Sequence, residues 1–155
     1  MPDQIDAATD LSKQHLAIFD TLDFEVFSKQ EWARFHESHS QDVIVHWPDG
    51  HVTNGLDKHI EDMKSMFLYA PDTRITVHHV RLATGTWTSV IGVMEGSFTD
   101  PMLMPDGKIV QPTGKAFKLP MCTIAHWTNG VLDQEYLFGI TRRTTARWAL
   151  NNGTP

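Results

Sequence analysis

The chain has 155 residues, 41% hydrophobic, with 13 basic and 19 acidic side chains for a formal charge of −6. That length builds one core, so residues 1–155 are expected to form a single domain ordered over about 6–150. The acidic balance repels phosphate backbones, and the densest basic spot is only Arg142-Arg143-Arg147, which argues against nucleic acid as a partner. The single cysteine, Cys122, excludes an internal disulfide and a multi-thiolate zinc site within one chain. No apolar run approaches the roughly 18 residues of a membrane span, and the N-terminus lacks a signal-peptide pattern, so the expected location is cytoplasmic, away from membranes.

Ala8, Leu11, His15, Ile18 and Leu22 recur at helical spacing and predict a first helix over Asp6 to Thr21. Ser28-Lys29-Gln30-Glu31 has the pattern of a capping box, with Phe27 and Trp32 as a hydrophobic staple. A second helix is expected from there to Ser38–Ser40, with Trp32 and Phe35 turned inward. The β-branched run Asp42 to Trp47 predicts a strand that ends at the Pro48-Asp49-Gly50 turn. Leu56, His59, Ile60, Met63, Met66, Phe67 and Ala70 share one face of a third helix, capped by Asn54 and stopped by Pro71.

Beyond Pro71 the period shortens to two. Arg74–Ala83, Thr86–Thr99, Ala116–Trp127 and Val131–Ile140 read as four strands, and the turn signal Asn129-Gly130 joins the last two as an antiparallel hairpin. Pro120, within the third of them, points to an edge or bulge position. The segment from Asp100 to Gly114 is long for a hairpin link and suits a lid or a dimer contact. A last short helix is expected over Arg142 to Leu150. This order predicts an α+β fold in which one curved, mostly antiparallel sheet wraps three helices and leaves a small-molecule pocket on its concave side.

From Asp42 to Phe138 the sequence resembles the SnoaL-like polyketide cyclases, often labelled ester cyclases, of the nuclear-transport-factor-2-like superfamily. The resemblance is carried by His46-Trp47-Pro48-Asp49-Gly50, Gly55-Leu56-Asp57, Tyr69-Ala70-Pro71-Asp72-Thr73 and Gly92-Val93-Met94-Glu95-Gly96. Pro112-Thr113-Gly114-Lys115, Phe117-Lys118-Leu119-Pro120 and Asn129-Gly130-Val131 extend it. It implies a cone-shaped α+β barrel, usually a homodimer, with a ligand cavity at the wide end, no cofactor and no metal. It also implies an aspartate on the last long strand as general acid/base in an aldol ring closure. Counted from Gly130, that position holds Leu137 and its partner histidine position holds Thr123. Where many relatives place Trp-Asp, this chain has Gly139-Ile140.

The residues offer substitutes. Strand alternation puts Glu135, and with it Asp133, on the face of Leu137, and a carboxylate in an apolar cone suits proton transfer near neutral pH. His46 and Asp49, with His51 nearby, surround the first strand exit, where an imidazole beside a carboxylate makes a serviceable base. His46-x-x-Asp49-x-His51 has metal-ligand residue types, but its tight proline turn and missing fourth ligand argue against a metal. Trp47, His59, Met63, Met66, Phe67, Thr123 and Leu137 are the expected pocket lining. His59 reads first as a core histidine with a satisfied hydrogen bond and second as pocket lining, His15 is similar and weaker, at most one of His78 and His79 can face the cavity, and Cys122 reads as a buried small hydrophobe. Tyr136 and Phe138 make the outer face apolar enough for a dimer interface. The leading functional expectation is a cofactor-independent cyclase, isomerase or lyase acting on a small apolar carbonyl compound. A non-catalytic ligand-binding dimer and a hydrolase or dehydratase stand as alternatives.

Overall fold

The first helix, α1, runs over Pro2–Thr21 and passes directly into a π-helical turn over Leu22–Phe27 in the computed structural model, which describes residues 2–139, with side chains from Asp10. The wide turn is visible in its bonds: the Ser28 amide donates to the Asp23 carbonyl and the Glu31 amide to that of Val26. No α-helix starts at Ser28. Ser28 closes the π-turn instead, and its Oγ accepts the Ile75 amide at 2.8 Å, so the expected capping serine is spent tying the helical layer to the sheet. A 3₁₀ helix over Trp32–Glu37 takes the place of the expected second helix and still buries Phe35. The third predicted helix is present as α2, Leu56–Phe67, but its N-cap is Gly55 at φ 89°, a left-handed position that favours glycine, rather than Asn54. Asn54 belongs to a short strand that the sequence reading missed.

The strands are β1 (His39–His46), β2 (Val52–Asn54), β3 (Arg74–Thr84), β4 (Trp87–Ser97), β5 (Met102–Leu103), β6 (Ile109–Val110), β7 (Ala116–Thr128) and β8 (Val131–Phe138). Six form one sheet in the order β2-β1-β8-β7-β4-β3, and every pairing is antiparallel except β1 with β8. Asn129 and Gly130, at φ 51° and 80°, make the expected tight turn between β7 and β8. β5 and β6 form a separate small hairpin inside the Asp100–Gly114 segment, anchored by the buried Met102. Among the described residues β8 pairs with β7 only from Cys122 onward, so Pro120 has a strand neighbour on the β4 side alone. The expected helix over Arg142–Leu150, and Ile140, lie outside the described residues.

The helical layer packs on one face of this sheet, and the core between them holds Phe19, Val26, Phe35, Val43, Val45, Phe117 and Trp127. Alternation is clean on β7, whose Phe117, Leu119, Met121, Thr123, Ala125 and Trp127 all point inward. It breaks on β8. The pairing slips between His126 and Trp127, opposite Asp133, so Leu132 and Glu135 are both buried although three residues apart. Asp133 therefore does not share the inner face with Glu135, as uniform alternation predicts. It turns to the outer face, where it binds His126 Nδ1 at 2.7 Å and accepts the Thr128 hydroxyl.

Candidate active site

Glu135 enters the interior from the middle of β8, flanked in the sheet by Ala125 of β7 and Val45 of β1. The alanine leaves room, and two histidines fill it. His39, at the start of β1, places Nε2 3.8 Å from Glu135 Oε2, and His59, in the second turn of α2, places Nε2 3.3 Å from the same oxygen. All three side chains are more than nine-tenths buried: 1% exposed for His39, 3% for His59 and 6% for Glu135. Phe35 and Trp47 pack their rings against His39 and His59 respectively. Ser38 Oγ lies 2.9 Å from His39 Nδ1 and 3.2 Å from the Phe35 carbonyl.

This cluster is poorly satisfied. His39 Nε2, His59 Nδ1 and Glu135 Oε2 have no hydrogen-bond partner among the described residues. Burial pulls the His59 pKa down to about 4, so this imidazole is neutral at physiological pH. Burial alone raises the Glu135 pKa, but the facing imidazoles of His39 and His59 outweigh it and hold the carboxyl below the usual glutamate range. The result is an ionised carboxylate, dry, beside a neutral histidine.

Asp23 lies nearby in the electrostatic sense, its pKa raised first by burial and then by the Glu135 charge, against the pull of His78. The π-turn aims Asp23 inward. Single π-turns of this kind are frequent at functional sites. His78 bridges it to the surface side: Nε2 is 2.8 Å from Asp23, Nδ1 is 2.8 Å from Asp20, and Arg81 reaches Asp20 at 2.6 Å. A groove of about 230 Å³ opens between α1 and the 3₁₀ helix, lined by Ala17, Ile18, Thr21, Leu22, Val26, Glu37 and Ser38. Ser38 thus borders both this groove and His39.

Of the residues singled out in sequence, Glu135 and His59 come together and His46 and Asp49 do not join them. His46 pairs in register with Tyr136, one residue on from Glu135, and so stacks on that ring at 4.3 Å on the opposite face of the sheet. Asp49 is exposed in the turn and binds His51 rather than His46. Thr123 faces Leu137 across β7 and β8 on the inner face, one pleat from Glu135, so the two positions where the resemblance puts a histidine and an aspartate are indeed neighbours. Met63, Met66 and Phe67 are core residues, and Trp47 is half-buried with its Nε1 donating to Thr53 Oγ1 at 2.8 Å. None of the expected pocket residues lines the groove beside α1. His39 and Asp23 were missed. His15, a weaker candidate, stacks on Trp127 at 4.5 Å.

Known proteins bear on this arrangement through sequence and fold. The sequence pattern of the SnoaL-like polyketide cyclases matches residues 19–136. No curated protein is recognisably similar in sequence. A candidate SnoaL-like polyketide cyclase from Jannaschia sp. CCS1 superposes with a TM-score of 0.75 at 16% identity, over 92% of this chain and 94% of that one. IdmH, a candidate polyketide cyclase from Streptomyces antibioticus, gives 0.70 at 18% identity over 86% and 95%. A candidate ketosteroid isomerase from Kribbella flavida DSM 17836 gives 0.58 at 15% identity over 83% and 79%. At these identities the structures establish the fold, the curved-sheet α+β cone of the nuclear-transport-factor-2-like proteins. With about three-quarters of its length matched by the family pattern, the chain is a member of the SnoaL-like polyketide cyclase family.

Proposed function

We propose that the protein is an acid–base enzyme of cyclase or isomerase type, in which Glu135 removes a proton next to the carbonyl of a small, mostly apolar compound. The observation that carries this reading is the placement of Glu135: ionised, buried on the inner sheet face and 3.3 Å from His59. Held as a carboxylate at neutral pH, Glu135 is ready to accept a proton, and a neutral imidazole beside it can donate to the enolate oxygen as charge develops. Leu137 and Thr123 replace the acidic and histidine positions implied by the family, and Glu135 supplies the carboxylate one pleat away. His46 and Asp49 lie on or beyond the far face, so the reading rests on Glu135. Trp47, Met63, Met66, Phe67, Thr123 and Leu137 remain its proposed apolar lining, and it needs no cofactor.

The test is solvent deuterium uptake by a panel of cyclic β-diketones and β,γ-unsaturated ketones, followed by NMR in chelator-containing buffer. Wild-type protein is expected to accelerate exchange for at least one member, and Glu135→Gln to lose on the order of 10²-fold or more of that rate. Equal rates in the two proteins would sink the reading, and tight binding without exchange would favour the non-catalytic ligand binder.

The outer sheet face supports a homodimer. Val80, Ile91, Cys122 and Phe138 stand in one cross-strand row over β3, β4, β7 and β8, with Leu82 and Trp87 beside it, and most are exposed. Ile91→Asp is expected to shift the light-scattering mass from dimer to monomer. An unchanged mass would place any interface elsewhere.

A further inference from the structure

We infer that His39, His59 and Glu135 form a binding site for one divalent first-row transition-metal ion, with both Nε2 atoms and Glu135 Oε2 as ligands. One ligand atom from each residue lies within 4.8 Å of the other two, and the residues come from three elements, β1, α2 and β8, that the fold holds together. Around an ion with bonds of about 2.1 Å, neighbouring ligand atoms stand roughly 3.0–3.4 Å apart. His59 and Glu135, at 3.3 Å, already meet this spacing, and His39, at 3.8 Å from the same oxygen, must move inward to meet it.

The wiring of His39 makes the case. The Ser38 hydroxyl has one proton, and its contact with the Phe35 carbonyl uses it. With the proton so placed, Ser38 Oγ accepts from His39 Nδ1–H, the tautomer that frees His39 Nε2 to bind a cation. That nitrogen faces the Glu135 carboxylate, in a dry interior, with no other partner for either atom among the described residues. A divalent cation seated between these atoms would coordinate both. The serine is also the outer-shell hydrogen bond that orients metal-binding histidines in general. Two imidazoles and one carboxylate suit zinc, iron(II), cobalt(II) or nickel(II), and not calcium or magnesium, which demand oxygen ligands.

The inference does not rest on the proton-transfer reading, although it shares Glu135 with it. A bound ion occupies Glu135 Oε2, whereas in metal-free protein the carboxylate is available as a base. Chelator-treated protein that exchanges protons but binds no metal refutes only the present inference, and the reverse result refutes only the earlier one.

The experiment titrates the chelator-treated full-length chain with Co²⁺ and then with Zn²⁺, reading calorimetry and the visible d–d spectrum. One Co²⁺ per chain, an intense low-symmetry spectrum bleached by Zn²⁺ and a raised Tm are expected. His39→Gln and Glu135→Gln should each weaken binding by about 100-fold or more, Ser38→Ala by about 10-fold, and the surface control His51→Ala not at all. X-ray absorption of Zn²⁺-loaded wild-type protein should show two imidazoles, and needs no variant to fold. Absence of stoichiometric binding, binding abolished by His51→Ala, or binding indifferent to His39→Gln and Glu135→Gln overturns the inference. So does a His39 ring protonated at both nitrogens in metal-saturated protein, because a proton then fills the place assigned to the ion.

Discussion

Two buried histidine–carboxylate clusters sit on the same side of the sheet and are wired in opposite ways. In the first, His78 spends both ring nitrogens on carboxylates, Asp23 and Asp20, and Arg81 completes the chain at 2.6 Å from Asp20. In the second, two histidines share one carboxylate, and a polar atom of each of the three residues is left without a hydrogen bond among the described residues. The same side chains therefore do two jobs. A satisfied buried network fixes the chain in place, joining the π-turn and α1 to β3. An unsatisfied one is held by its surroundings and is ready for something else to satisfy it.

The largest expected effect breaks this comparison directly. His78→Ala leaves Asp23 buried without its partner, a change that costs about 3–5 kcal/mol for buried pairs of this kind. Glu135→Met removes a buried charge that has no hydrogen-bonding partner at Oε2, and is expected to be neutral or stabilising by about 1 kcal/mol, at the expense of activity. Urea unfolding of both variants in chelator-containing buffer decides the matter. If Glu135→Met proves the more destabilising, the second cluster is structural and the contrast between the two collapses.

The sequence made one of these clusters half-visible and left the other dark. Glu135 could be placed because it lies a single pleat from Leu137, beyond the bulge, and His59 stood out as a polar residue on the apolar stripe of α2. His39 sits in Ser38-His39-Ser40-Gln41, a polar run with no period, and read as a fraying helix end. Its partner is delivered by the one parallel pairing in the sheet, which links strands far apart in sequence and has no turn signal to betray it. Asp23 is aimed inward by a π-turn, for which the side-chain pattern gives no clue. The false capping box at Ser28 shows the same limit, since the serine and glutamate spacing was right and the hydroxyl went to Ile75 instead. The strands after Pro71 were legible from their β-branched runs and from the glycine turns at Gly85 and Gly130, and β4 and β7 also from one cleanly buried face. The bulge opposite Asp133 was not, because a single extra residue changes which side chains face inward without changing composition.

The two clusters should also titrate in opposite senses. Burial lowers the His78 pKa, but Asp23 and then Asp20 outweigh it, so the folded value stands above the ordinary 6.5. A raised base stabilises fully below its unfolded pKa, so this contribution is lost as pH rises from about 6.5 through the folded value. The buried Asp23 acid, raised as well, adds a loss in the same direction. His59 behaves inversely: its folded pKa is about 4 against 6.5 unfolded, so below 6.5 the unfolded chain takes up a proton that the folded chain refuses. Stability falls over that interval by an amount on the order of 3 kcal/mol when complete. A plot of unfolding free energy against pH should therefore be domed, with His59→Gln flattening its acid limb and His78→Gln its alkaline limb. Identical curves for wild type and His59→Gln would mean that folding leaves the His59 pKa at its ordinary 6.5, and that burial does not keep this imidazole neutral through the acid range.

The smallest effect lies on the outer face, where His126, Thr128 and Asp133 form a third cluster at the bulge. These side chains are partly exposed, and solvent screening limits such a pair to between 0 and about 1 kcal/mol. Asp133→Ala is therefore expected to cost no more than that in urea unfolding and to leave Glu135 where it is. What holds the bulge decides the outcome. Leu132 and Glu135 are both buried, and slipping β8 by one residue would turn one of them out. If burial of Leu132 and the pairing with β1 hold the register, Asp133 only decorates it, and proton transfer at Glu135 survives the substitution. A loss of activity as large as that of Glu135→Gln, with little loss of stability, would instead make Asp133 the residue that keeps Glu135 facing inward.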